Sequence, residues 1–167
     1  MFKVSSYLLI PNYKMLKSKD IEHNPSKYFI DINEERIKEI VVDIDPYYID
    51  GAIQILYYEH EIMGIKYWDL VDQLWAYFVN MIDVYHKNGR AETYFPDMPV
   101  KIEMVNLRNN TMKFVVQDHI TILPEKEFIK ELLEQSITFF TRLETLINGV
   151  NYSSEVHQAK KLLQQMI

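Results

Sequence analysis

The chain has no cysteine and only four glycines among its 167 residues. Without cysteine there is no disulfide, no thiolate nucleophile, no iron–sulfur cluster and no cysteine-based zinc site. Gly51, Gly64, Gly89 and Gly149 stand apart, so neither GxGxxG nor GxxxxGK[ST] can be assembled. Nucleotide binding through those loops is excluded. The nucleophile elbow GxSxG is missing too, which removes the usual serine hydrolase arrangement. Basic residues are in deficit, 18 against 24 acidic ones, so the chain does not read as a general nucleic-acid binder. Nor is there a long apolar run. The amino-terminal MFKVSSYLLIPNYK offers only Tyr7 to Ile10 before Pro11, short of the roughly 7–15 apolar residues of an export signal. No window nears the roughly 18 residues of a spanning helix. The expectation is a cytoplasmic protein that uses no membrane.

What is present is a composition that buries well: 48% hydrophobic and 13% aromatic residues. A chain of this size buries roughly 70% of its unfolded surface and needs no metal staple. We read residues 1–167 as one domain. Lys27 to Ile32 and Ile37 to Asp45 are short and rich in β-branched and aromatic residues, which predicts strands; Gly51 to Gly64 reads as one long strand. The period then changes. From Tyr67 to Asn88, Trp68, Val71, Trp75, Phe78, Ile82 and Tyr85 recur at gaps of three and four beside a second apolar stripe. That width predicts a helix lying across a sheet, stopped at Asn88-Gly89. Val100 to Leu107 and Thr111 to Asp118 read as a hairpin turning at Asn109-Asn110, with His119 to Leu123 as its end or a further strand.

Pro124 opens a second helix, with Glu125 and Glu127 in its first turn. Phe128, Leu132, Ile137, Phe140, Leu143 and Ile147 are expected inside, with a stop at Asn148-Gly149 and a last helix from about Ser154 to Met166. Pro11 to Lys27 lacks a pattern and reads as a loop. The predicted class is α+β: a mostly antiparallel sheet, a long amphipathic helix on one face and two C-terminal helices.

Catalytic groups do not converge in this order. His23, His60, His86, His119 and His157 are scattered singly, and His60-Glu61 opens an HExxH-like string whose second histidine is replaced by Gly64. Asp69, Asp72 and Asp83 on the first helix, and Glu131 and Glu134 on the second, oppose the apolar stripe and read as a solvated face. No catalytic residue, metal ligand or cofactor is assigned. The segment Tyr94-Phe95-Pro96-Asp97-Met98-Pro99 reads first as a rigid cover for the sheet edge and second as a preformed binding loop.

Charge is distributed unevenly. Residues 1–27 carry a net +3, residues 28–72 a net −8 and the remainder a net −1. Inside the acidic stretch, Asp43, Asp45 and Asp50 surround Tyr47 and Tyr48, and Glu59 and Glu61 follow Tyr57-Tyr58. Tyrosines offer large rigid contact area and carboxylates steer a basic partner, so these seven residues, Asp43, Asp45, Tyr47, Tyr48, Asp50, Glu59 and Glu61, are the candidate partner-binding surface. The same tyrosines would equally suit a sheet face, with the acids keeping the chain solvated.

Three segments, YWDLVDQLWAYFVNMID, YFPDMPVKIEM and LPEKEFIKELLEQSITFF, resemble small cytosolic proteins of Gram-positive bacteria, among them the immunity proteins encoded beside polymorphic or contact-dependent toxins. The resemblance runs from about Gly51 to Thr145 and transfers no functional residue. It implies an α+β protein that binds and blocks a toxin domain, without catalysis or cofactor; the acidic surface adds the expectation of a cationic partner, and the acidic balance the expectation that it is not nucleic acid. Two alternatives stay open. One is a small enzyme or ligand-binding protein with a pocket between sheet and helix near His60, His119 and Tyr94. The other is a homodimer or larger homo-oligomer that buries surplus apolar surface between copies.

Overall fold

The computed structural model describes residues 1–11 and 18–167. The fold is α+β, with every strand pair antiparallel. Strands β1 (Phe2–Leu9), β2 (Phe29–Asp31), β3 (Asp50–Tyr57) and β4 (His60–Met63) form one sheet in the order β2-β1-β3-β4, and β5 (Asp69–Leu70) also pairs with β3. Strands β6 (Arg90–Tyr94), β7 (Lys101–Asn106), β8 (Thr111–Val116) and β9 (His119–Pro124) form a second sheet as a plain meander. Short helices α1 (Ser18–His23), α2 (Pro25–Tyr28) and α3 (Ile37–Ile40) lie among the first strands, and the long ones are α4 (Val71–Asn88), α5 (Glu125–Leu146) and α6 (Ser153–Met166).

Helix α4 explains why both sheets belong to one body. Its residues Leu74, Trp75, Phe78 and Ile82 are fully buried and join Val4, Leu8, Ile53 and Ile55 of the first sheet with Ile102, Met104, Met112 and Phe114 of the second in a single core. Burying a side chain of this size contributes about 1.5–3 kcal/mol, so the two apolar stripes of α4 bind the halves together. Trp75 fixes the register of that packing: its indole N–H donates to the buried Ser6 hydroxyl on β1 at 2.9 Å. Helix α5 completes the core through Phe128, Leu132, Phe139 and Phe140, and Phe128 meets Phe114 edge to face at 4.9 Å. The opposite face of the first sheet carries a smaller cluster, in which Leu9 and Ala52 pack under Ile21, Tyr28 and Phe29.

Several expectations are corrected. Ile37 to Asp43 is helical, α3 continued by a 3-10 turn over Val41–Asp43, and Ile44 leaves it in extended conformation. Its buried Ile37 and Val41 and half-buried Ile40 and Ile44 recur at helical spacing, and Val42 between them is 76% exposed. Lys27 and Tyr28 end a helical turn, so the strand there covers Phe29–Asp31 alone. Gly51 to Gly64 is a hairpin: Tyr58 and Glu59 both take positive φ, at 45° and 69°, and reverse the chain. The first long helix starts at Val71, after a 3-10 turn at Ile65–Tyr67 and the short β5. Helix α5 ends at Leu146, two residues before Asn148. Of the loop expected over Pro11 to Lys27, residues 12–17 lie outside the described residues and the rest holds α1 and α2.

The turn chemistry read from asparagine and glycine matches the structure. Gly89 closes α4 in the left-handed region at φ 69° and donates to Tyr85 O at 2.7 Å. Asn109 and Asn110, at φ 63° and 58°, turn β7 into β8.

Candidate functional site

The acidic residues between Asp43 and Asp50 form an ordered bend at one end of β3. Half-buried Ile44 and fully buried Ile49 anchor it, and Ile49 O accepts the N–H of Val71 at 2.9 Å. Between these anchors the Asp45 carboxylate accepts the Tyr47 N–H at 2.9 Å, and Asp45 O accepts the Tyr48 N–H at 3.1 Å. Pro46 supplies a fixed φ in the same turn. The result is a preformed surface on which Tyr47 is 83% and Tyr48 60% exposed. Asp43 and Asp45 are exposed beside them and make no ion pair among the described residues; Asp50, partly buried, begins β3 opposite Leu70. Two rings and two carboxylates therefore face water together, with no ion pair to either carboxylate among the described residues.

The structure does not bring Glu59 and Glu61 to this surface. They sit across the β3–β4 turn, at the far end of an eight-residue strand, roughly 23 Å away at the usual rise per residue. Glu61 lies back over its own hairpin, accepting the Gln54 side-chain amide at 2.8 Å. Glu59 occupies the tip beside Tyr58, which is 65% exposed. The seven candidates thus divide into Asp43, Asp45, Tyr47, Tyr48 and Asp50 on one side and Glu59 and Glu61 on the other.

The acids expected on a solvated helix face behave differently from one another. Asp69 precedes α4, is 4% exposed, and accepts the N–H groups of Leu70 at 2.7 Å, Asp97 at 3.0 Å and Met98 at 2.9 Å. The aromatic-proline segment is therefore held from below, with Phe95 buried against the core, which matches its reading as a rigid cover. Asp72 is half-buried and accepts the Tyr152 hydroxyl at 2.8 Å, tying α6 to α4. Burial raises the Asp72 carboxyl above its ordinary value, and the bond from Tyr152 offsets only part of that. Tyr152 is raised as well, by burial first and by the Asp72 charge second. Asp83 pairs on the surface with Lys87 at 2.6 Å.

His23, His60, His86, His119 and His157 are all exposed and lie on five different elements. Among the described residues no group of histidines and carboxylates is arranged to hold a metal ion. The pocket imagined around His60, His119 and Tyr94 is not built from those residues: Tyr94 and His119 sit on opposite edge strands of the second sheet, and His60 is on the first sheet. No helix among the described residues is long and apolar enough to cross a membrane.

Two surface features were not legible in the sequence. One is the outward row on edge strand β9, where Ile120 and Ile122 are more than half exposed. At the other side of the second sheet, β6 and β7 carry ion pairs instead, Lys101 with Glu92 at 2.7 Å and Arg90 with Glu103 at 3.2 Å. The other is Tyr58, exposed because it sits in the β3–β4 turn at positive φ. Compared with known proteins, the chain matches no family model, no curated protein and no solved structure.

Proposed function

We propose that this chain is a cytoplasmic immunity-type protein that binds a cationic toxin domain and blocks it by occlusion, without catalysis or cofactor. The observation that carries this reading is the Asp43–Tyr48 bend, a hydrogen-bonded surface with two exposed tyrosines and two exposed carboxylates that make no ion pair among the described residues. Aromatic anchors contribute most of the affinity in such contacts, and unpaired carboxylates speed capture of a basic partner. The two hydrogen bonds that Asp45 accepts within the bend favour docking with little ordering cost. The test is the association rate with a cationic toxin domain that the chain is first shown to bind. Asp43→Lys combined with Asp45→Lys slows association about tenfold or more and flattens its salt dependence. Unchanged rates for a confirmed partner overturn this surface as the contact.

A second reading, self-association, is favoured by the exposed Ile120 and Ile122 on an edge strand, a position that soluble proteins usually guard with charge. Light scattering at rising concentration decides it. A mass that stays monomeric removes it, and a dimer dispersed by Ile120→Lys supports it.

A further inference from the structure

Two open clefts meet around Tyr58, at the end of β3 remote from the Asp43–Tyr48 bend. The first, of about 330 Å³, lies between the β3–β4 turn and the start of α5; Phe2, Tyr57, Tyr58, Glu127, Lys130, Glu131 and Glu134 line it. The second, of about 380 Å³, continues past Lys3 and Glu59 and shares Phe2 and Tyr58 with the first. Their common wall is aromatic. Phe2 stacks on Tyr57 with centroids 4.6 Å apart, Tyr57 meets Tyr58 edge-on at 4.8 Å, and Phe2 is anchored to the core through Phe128 at 5.1 Å. Tyr58 is held by its N–H, which donates to Met1 O at 3.1 Å, so the exposed ring stands on a fixed backbone.

Opposite the rings, α5 presents three glutamates against one lysine. Lys130 stands 3.8 Å from Glu134, and Glu131 accepts the Gln135 side-chain amide at 3.0 Å. Glu127 has no hydrogen bond or ion pair among the described residues. In the second cleft Lys3 and Glu59 offset one another in charge. Met1, with its α-ammonium, also lines the first cleft, so the three glutamates exceed the cations there by one, and that excess faces an aromatic wall, a pairing that favours a cation. A planar cation suits it best, because a guanidinium stacks flat on a tyrosine and offers paired N–H groups to a carboxylate, whereas an ammonium is a point charge that holds its water.

We propose that this cleft receives the arginine side chain of a partner protein, stacked on Tyr58 and paired with Glu127. The site is separate from the Asp43–Tyr48 bend, so its failure leaves the proposed contact surface standing, and the reverse holds too.

The test is an NMR titration of the isotope-labelled chain with N-acetyl-arginine amide, with N-acetyl-citrulline amide as the uncharged analogue of the same shape and N-acetyl-lysine amide as the point charge. Saturable shifts at millimolar concentration are expected at Tyr58 and Glu127 with the arginine probe. The lysine probe binds several-fold more weakly and citrulline gives no saturable shift. Tyr58→Ala and Glu127→Gln alter exposed positions, keep the spectrum dispersed, and each weaken the arginine response about fivefold. No saturable shift with the arginine probe, an equal response to citrulline or lysine, or wild-type binding by both variants overturns the proposal.

Discussion

Asp69 and Met98 are 29 residues apart, and the Asp69 carboxylate accepts the Met98 backbone N–H at 2.9 Å. The same carboxylate takes the Asp97 N–H at 3.0 Å, so one buried side chain joins β5 to the turn before β7. Asp69→Ala leaves these amides without their acceptor and should destabilise the fold by about 2–3 kcal/mol. Urea unfolding measures this as a lower midpoint at unchanged slope. A loss under about 0.5 kcal/mol would mean that water replaces the carboxylate.

Gly51 is required for its lack of a side chain. A Cβ there would stand 2.1 Å from the carbonyl oxygen of Tyr7 and 2.7 Å from a Val71 methyl. Since β1 and β3 pair from Phe2↔Tyr57 to Leu8↔Gly51, Gly51→Ala has to push the central pair of strands apart at one end. The expected cost exceeds about 3 kcal/mol, the upper range for overpacking, and shows as loss of folded protein or a large fall in melting temperature. Wild-type stability for this variant would refute the close approach.

Asp72 makes stability depend on pH in an unusual direction. Its folded carboxyl is raised, so the native state holds the proton more tightly than the unfolded chain. Its favourable contribution is complete below the unfolded value of about 3.9 and is lost as pH rises through the folded value. Asp72→Asn keeps an acceptor for the Tyr152 hydroxyl and carries no charge. The variant should be at least as stable as the wild type at neutral pH and should lack the decline across the carboxylate range. Denaturation at a series of pH values distinguishes this from the opposite slope, which a carboxylate stabilised by its surroundings would give.

Tyr85 supplies the alkaline counterpart. Burial raises its phenol from 10.0 to about 12, against a lowering by the hydrogen bond from Asn106. The folded state again holds the proton longer, so this contribution is present below pH 10 and lost as pH climbs towards 12. Tyr85→Phe should be less stable at neutral pH, having lost its bond to Glu125, yet less sensitive between those two pH values. Equal alkaline sensitivity in both proteins would contradict the assignment.

The features legible in the sequence were those carried by local periodicity. The three- and four-residue gaps from Val71 to Tyr85, the Gly89 stop and the Asn109-Asn110 turn each act within a few residues, so composition reports them directly. Ile37 to Ile44 misled because β-branched residues suggested a strand, although Ile37, Ile40, Val41 and Ile44 already stood at helical spacing. The turn at Tyr58-Glu59 had no such signal, since neither residue type favours positive φ. Asp69 and Asp72 were misplaced because their partners, Met98 and Tyr152, come from distant parts of the chain. The candidate surface divides for the same reason: alternation along a single strand does not show that Glu59 sits in a turn and Glu61 beyond it.

Growth of cells that express a toxin domain shown to bind this chain tests the central claim most directly, with wild-type chain and with the Tyr47→Ala, Tyr48→Ala double variant supplied in turn. Both tyrosines are exposed, so the variant retains the fold. The account predicts that the wild type restores growth and the variant does not. Equal rescue by both would contradict it, as would no rescue by either.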